Sequence, residues 1–305
     1  MASNIESNRK KKDMNQILQF LENTFEPLVF IFTVSNLAIM GLQAKMPELI
    51  VGLKNKKALV LIFVWGWVLG PAIGLLTAWI LPLSEPFVIG LLLCSLAPCA
   101  PFLPLMVTKA DGDMNFASAL FPLVAIGTII FMPLLAPFLI KGVTLSLGAL
   151  VKLFLLSMLI PLMIGLALKH YMETVSNKIF PLVNLIAKLS ALATIIWSFA
   201  LYSPEMLATV GSFGLLSMTI FMVIIGWITY RIGFGMKQNQ RSVMSLGMLT
   251  RNGAVVLLAA MTVPDLDPLV ITYIIMFILW SFVIAAIAAR IFGKQAFKSV
   301  AQNST

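Results

Sequence analysis

The chain has 305 residues, 60% of them hydrophobic and 11% charged, with a formal net charge of +9. A soluble domain carries about 25% charged residues, so this composition, with its mean hydropathy of +1.00, excludes a water-soluble globule and indicates an all-α polytopic membrane protein. The basic residues fall in short loops, the pattern of membrane topology rather than of a nucleic-acid-binding face.

The chain opens on Met1-Ala-Ser-Asn-Ile-Glu-Ser-Asn-Arg-Lys-Lys-Lys-Asp13, which has no short apolar run ending in a cleavage site. Residues 1–26 read as a polar N-terminal tail and not as a signal peptide. Ile17, Leu18, Phe20, Leu21 and Phe25 recur at near-helical spacing and leave room there for one amphipathic turn. A spanning helix needs about 20 mainly apolar residues. Nine stretches qualify, near 27–43, 58–81, 87–107, 115–140, 148–168, 180–202, 211–230, 243–262 and 269–289. They form one transmembrane domain over residues 27–292 with short links, followed by a tail, 293–305.

One set of alternate links carries Lys45, Lys54, Lys56, Lys57, Lys109, Lys169, Lys178, Arg231, Lys237 and Arg241, and the C-terminal tail adds Arg290, Lys294 and Lys298. The opposite set carries Lys141. The positive-inside rule places the first set and the C-terminus in the cytoplasm, with the cell (inner) membrane as the expected location. Nine spans then put the N-terminus outside, where Arg9, Lys10, Lys11 and Lys12 run against the rule.

The third span contains Leu96-Ala-Pro-Cys-Ala-Pro-Phe-Leu-Pro104. Pro98, Pro101 and Pro104 each remove a backbone N–H and clash with the carbonyl four back. In a continuous helix the carbonyls of Cys94, Ala97 and Ala100 would lose their partners. Such backbone survives at membrane depth only when buried in protein or lining a wet cavity. One proline would point to a packing kink; three in seven residues point to a functional break. The two cysteines, Cys94 and Cys99, share this segment and suggest no secreted disulfide framework.

No Asp or Glu falls well inside a span: Glu85, Glu205, Asp265 and Asp267 sit in links. Three cations do fall inside. Lys152, near the start of its helix, reads as snorkelling to the interface. Lys188, with Asn184 one turn before it, either snorkels or faces an inner site. Arg251 lies near the middle of the eighth span, where a lone charge costs about 2.5 kcal/mol or more. With no acidic partner in the membrane it must meet water, carbonyls or an anion, and a bound anion is the expectation. Arg251 belongs to Leu249-Thr-Arg-Asn-Gly-Ala-Val255, a second interruption five spans after the first. Paired breaks in corresponding spans of two halves point to an inverted-repeat transporter with its site at the midplane, where two broken helices cross.

These two segments resemble those of the bile acid:sodium symporter family, in particular its prokaryotic members. Ala97-Pro-Cys-Ala-Pro-Phe-Leu-Pro104 through Lys109-Ala-Asp-Gly-Asp113 is similar to that family's proline-led crossing helix and Gly-Asp loop. Thr250-Arg-Asn-Gly253 falls where the family has a Gln-Asn or Arg-Asn pair. The resemblance covers nearly the whole chain after residue 25. It implies a core of spans two to four and seven to nine, a panel of spans one, five and six, and broken helices that cross in the core. It also implies transport of an organic anion by alternating access. The departures bear on the coupling ion. The Ser-Asn expected after the first proline run is Leu103-Pro104. The expected hydroxyls fall at Ala117 and Phe121, with Ser118 one residue off. The expected acidic residue falls at Gly247, and the Gln is Arg251. A cation site beside Arg251 with no carboxylate is electrostatically poor. Ser245, Thr250 and Asn252, with backbone carbonyls, are the groups left to hold a sodium ion, weakly.

The expected function is therefore a secondary carrier of a small organic anion embedded in the lipid bilayer, with no cofactor beyond sodium as a coupling ion. The candidate substrate-binding residues are Pro98, Cys99, Pro101, Pro104, Asn184, Lys188, Thr250, Arg251, Asn252 and Gly253. Cys99 also resembles the Ala-Pro-Cys of arsenite-efflux carriers, but the Glu that follows the Asn there is absent from Gly253-Ala-Val255, and one sulfur is a poor soft-metal site. A non-transporting membrane receptor on the same fold is the other alternative. An enzyme is not expected, since no paired intramembrane carboxylates, metal-ligand cluster or nucleophile–His pair is present in the spans.

Overall fold

Apolar runs of membrane length become long helices in the computed structural model, and the two interrupted runs become pairs of half-helices. The structure describes residues 2–140 and 146–303, the side chains of 2–13, 208, 210 and 297–303 excepted. Lys141, counted above in the opposite set of links, lies outside the described residues. The order is α1 (Ala2–Gln43), α2 (Met46–Lys54), α3 (Lys56–Phe63), α4 (Gly70–Ile80), α5 (Glu85–Ser95), α6 (Leu103–Lys109), α7 (Met114–Leu139), α8 (Leu147–Phe154), α9 (Ile160–Tyr171), α10 (Glu173–Val210), α11 (Gly214–Arg231), α12 (Gln238–Leu249), α13 (Gly253–Met261) and α14 (Pro268–Asn303). Wide π-helical turns, Val64–Leu69 and Leu155–Leu159, join α3 to α4 and α8 to α9. Each lies just before a proline, Pro71 and Pro161. The wider turn moves the carbonyl four back away from the proline ring, so the helix continues where it would otherwise break.

Among the described residues seven helices are long and apolar enough to cross a membrane: Met14–Gln43, Lys56–Ile80, Met114–Leu139, Leu147–Tyr171, Glu173–Leu207, Gly214–Arg231 and Pro268–Ala296. The third and eighth expected spans are the broken ones, α5 with α6 and α12 with α13.

Three segments read as tail or link are helical. Residues 2–26 continue into the first span as one helix, because nothing before Pro27 breaks it and its distal end is packed. Phe25 is buried, and Thr24 Oγ1 accepts a hydrogen bond from Trp197 Nε1 of α10 at 3.0 Å. The first link contains α2, whose Gly52 faces α7 closely enough that a Cβ would lie 3.0 Å from Ala119 Cβ. At the other end α14 runs on past residue 293 to Asn303.

The helices sort into two layers. In the first, α1 packs along both α9 and α10. Gly41 and Gly165 make the α1–α9 contact backbone to backbone: a Cβ on Gly41 would fall 2.3 Å from the carbonyl oxygen of Leu162. Small residues at such crossings let helices gain van der Waals contact in lipid, where no hydrophobic drive operates. The second layer holds the two broken helices among α3–α4, α7, α11 and α14. This is the panel-and-core division implied by the resemblance.

Candidate functional site

At the centre of the core the residues between α5 and α6 meet those between α12 and α13. Pro98 and Arg251 pair there as an isolated antiparallel bridge, the direction an inverted repeat produces. The Cys99 N–H donates to the carbonyls of Gly247 at 2.9 Å and Thr250 at 3.0 Å, and the Asn252 N–H donates to Ala97 O at 2.8 Å. The Ala100 N–H donates to Thr250 Oγ1 at 3.2 Å, whose own hydroxyl donates to Leu246 O at 2.8 Å.

The carbonyls that the prolines threatened to strand all accept a hydrogen bond. Cys94 O takes Ala97 N at 3.3 Å, Ala97 O takes Asn252 N, and Ala100 O takes Leu103 N at 3.0 Å. Leu96 O takes the indole N–H of Trp67 at 3.0 Å. The break is thus closed by protein donors, as unwound backbone at membrane depth requires. Gly66, Gly70 and Gly74 form the face that admits this segment. A Cβ on Gly70 would lie 3.0 Å from Ser95 O, and one on Gly66 would lie 3.5 Å from the Pro98 ring. On the other side Gly253 lies against α14, where a Cβ would fall 2.0 Å from Ile278 Cγ1.

Arg251 is 1% exposed. Its Nη1 donates to Ser95 O at 3.3 Å, and its Cζ stands 4.7 Å from the centre of the Phe221 ring. Nε and Nη2 have no hydrogen-bond partner, and no carboxylate pairs with Arg251 among the described residues. Arg251 itself lines the large cavity, while its guanidinium rests among Ser95, Phe221 and Gly70, which do not.

That cavity, about 720 Å³, lies between panel and core. α1 contributes Phe32, Asn36, Ile39 and Gln43; α10 contributes Asn184 and Lys188; the core contributes Pro101, Phe102, Pro104, Gly253, Ala254 and Phe282. The N-terminus of α13 opens onto it, and Asn252 at its N-cap makes no side-chain cap. Uncapped amides at a helix N-terminus, with the positive end of the macrodipole, attract anions. Lys188 is exposed and makes no ion pair among the described residues. The walls are mainly apolar, with Asn36, Gln43 and Asn184 as amides and positive character at Lys188, at the start of α13 and at Arg251.

The profile of the Sodium Bile acid symporter family matches residues 30–210, more than half of the chain. The chain belongs to the sodium bile acid symporter family. It is therefore an integral multi-pass protein of a family of membrane transporters, not enzymes. No curated protein matches it. The family match takes in the panel and the proline-led break but stops before Arg251.

Within this family member the candidate residues divide between two places. Pro101, Pro104, Asn184, Lys188 and Gly253 line the cavity, and Arg251 borders it with its head turned into the core. Pro98, Cys99 and Thr250 build the crossing. Asn252 is 4% exposed and leaves Oδ1 unpartnered. Of the sodium-ligand candidates, Ser245 Oγ donates to Gly226 O at 2.7 Å, and the Thr250 hydroxyl is held in the brace described above. Cys94 and Cys99 are buried free thiols. The Gly-Asp loop has a structural role: Asp113 caps α7 by accepting from Phe116 N at 3.0 Å, and its Oδ2 accepts from Gln240 at 3.3 Å. Lys152 is exposed, in keeping with snorkelling.

Sequence reasoning missed the wall supplied by α1. Asn36 and Gln43 stand seven apart in an apolar run, hence on one helical face, and that spacing was the available signal. It also missed Phe221, an apolar residue in an apolar helix, which carried no signal.

Proposed function

We propose that the chain is a secondary carrier of a small organic anion with an apolar body, bound in the cavity between panel and core. The observation that carries this reading is the about 720 Å³ cavity, with apolar walls and with Lys188 and the α13 N-terminus as its positive features. A bilayer-depth cavity of this size buries a small ligand, and a few placed polar groups set its orientation. The acidic group lies at Gly253–Ala254 and Lys188, while Phe32, Ile39, Phe102 and Phe282 take the apolar body. Rocking of the panel against the core alternates access, as in carriers built around broken helices. The positive-inside bias supports a cytoplasmic C-terminus.

The test is uptake of labelled cholate and of a series of smaller organic acids into proteoliposomes holding the purified protein. Accumulation that an unlabelled anion competes away supports the reading. Stabilisation by an anion without any uptake would replace it with a receptor on a carrier fold, and indifference to every anion would end it.

A further inference from the structure

We infer that the Arg251 guanidinium is a built-in cation: it stands at the inner C-terminal end of the first broken helix, where a mobile coupling ion would otherwise sit, so the carrier needs none. The inference deepens the carrier reading above and rests on it for its functional consequence. Each broken helix has two inner ends of opposite sign. The N-terminus of α13 faces the cavity, while α5 and α12 end in the core at Ser95 and Leu249, just before the paired Pro98 and Arg251. Helix C-termini carry partial negative charge and unsatisfied carbonyls. In carriers built from broken helices, unwound carbonyls and half-helix C-terminal ends coordinate the coupling cation.

In this chain a side chain occupies that place. The guanidinium donates to Ser95 O, the last residue of α5, at 3.3 Å and faces the Phe221 ring at 4.7 Å. It is fully enclosed, and no carboxylate pairs with it among the described residues. An unpaired buried charge is costly, so a guanidinium buried this deeply without an acid needs other compensation. Here the compensation is one carbonyl oxygen at the end of α5 and a ring face, with Nε and Nη2 left without hydrogen-bond partners. A free cation entering the same place would meet a like charge at contact range in a weakly screened interior. Ser245 and Thr250, the hydroxyls nearest in sequence, already donate to backbone carbonyls.

The test is thermal unfolding of the purified protein in detergent, with sodium exchanged for choline at constant ionic strength. Wild type is expected to melt at the same temperature in both. Arg251→Ala is expected to melt lower and to recover by several degrees, saturably, with low-millimolar methylguanidinium, and not with tetramethylammonium, which cannot donate hydrogen bonds. A ligand that binds only the folded state raises its stability in this saturable way. If the alanine variant does not fold, Arg251→Gln is tested in the same series with sodium and methylguanidinium. If neither folds, the wild-type comparison decides. Saturable stabilisation of wild type by sodium over choline would overturn the inference, as would a folded variant indifferent to both cations. Melting as expected with no anion uptake into proteoliposomes would remove the carrier reading and leave the assignment of the cation standing.

Discussion

Ala97 and Asn252 lock the two broken helices together: the Asn252 N–H reaches Ala97 O at 2.8 Å, beside the single bridge between Pro98 and Arg251. A carbonyl freed by a proline in one half of the molecule is filled by an amide freed by an interruption in the other. Neither break would be tolerable alone in hydrocarbon.

The Thr250 hydroxyl serves both sides of that crossing. Thr250→Val keeps the shape and leaves the Ala100 N–H buried without its acceptor. A loss of about 1–3 kcal/mol is expected, read as a lower melting temperature in detergent. Thr250→Ser, which keeps the hydroxyl, is expected to recover most of it.

Cys99 sits at φ +67° within the crossing. A side chain in the left-handed region costs about 1–2 kcal/mol, which glycine avoids. Both Cys99→Ala and Cys99→Gly remove the sulfur that packs at Gly247, so their difference isolates the backbone. The glycine variant is expected to melt above the alanine variant. The reverse order would show that the helix partners fully compensate the strain.

Gly253 has no room for a side chain. Gly253→Ala drives a methyl into Ile278, and overpacking of this kind costs about 1–3 kcal/mol. Adding Ile278→Val should return part of the loss, a coupling that a double-mutant cycle in melting temperature would detect. Additive losses would mean that α14 moves away freely.

Lys188→Gln is expected to leave melting unchanged, because the side chain is exposed and pairs with no carboxylate among the described residues. If the cavity holds an anion, its removal raises the KM for uptake. The expected scale is about 1 kcal/mol, that of an exposed ion pair, or about fivefold in affinity. Lys188→Arg should transport nearly as wild type, and an unchanged KM in the glutamine variant would take Lys188 out of the site.

Much of the architecture was legible in the sequence because lipid makes a simple demand. A run of about 20 apolar residues must be helix, and a run with three prolines or a Thr-Arg-Asn-Gly insert cannot be a whole one. That logic located the seven membrane-length helices among the described residues, the two interrupted ones, and Arg251 as a charge that had to face inward. It failed where helicity needs no lipid: residues 2–26 extend the first span as one helix that meets α10 at Thr24, and α2 packs on α7 at Gly52.

The direction of each side chain was a matter for the tertiary structure. Arg251 and Ser95 are 156 residues apart in sequence, and nothing local says that one's guanidinium will reach the other's carbonyl. Whether Arg251 met an anion or the end of a helix depended on how α5 and α12 cross, and whether Asn36 faced lipid or cavity depended on the rotation of α1. Composition and spacing state what a segment must satisfy. Only the meeting of segments distant in the chain states which atoms satisfy it, because burial, unlike helicity, belongs to no residue alone.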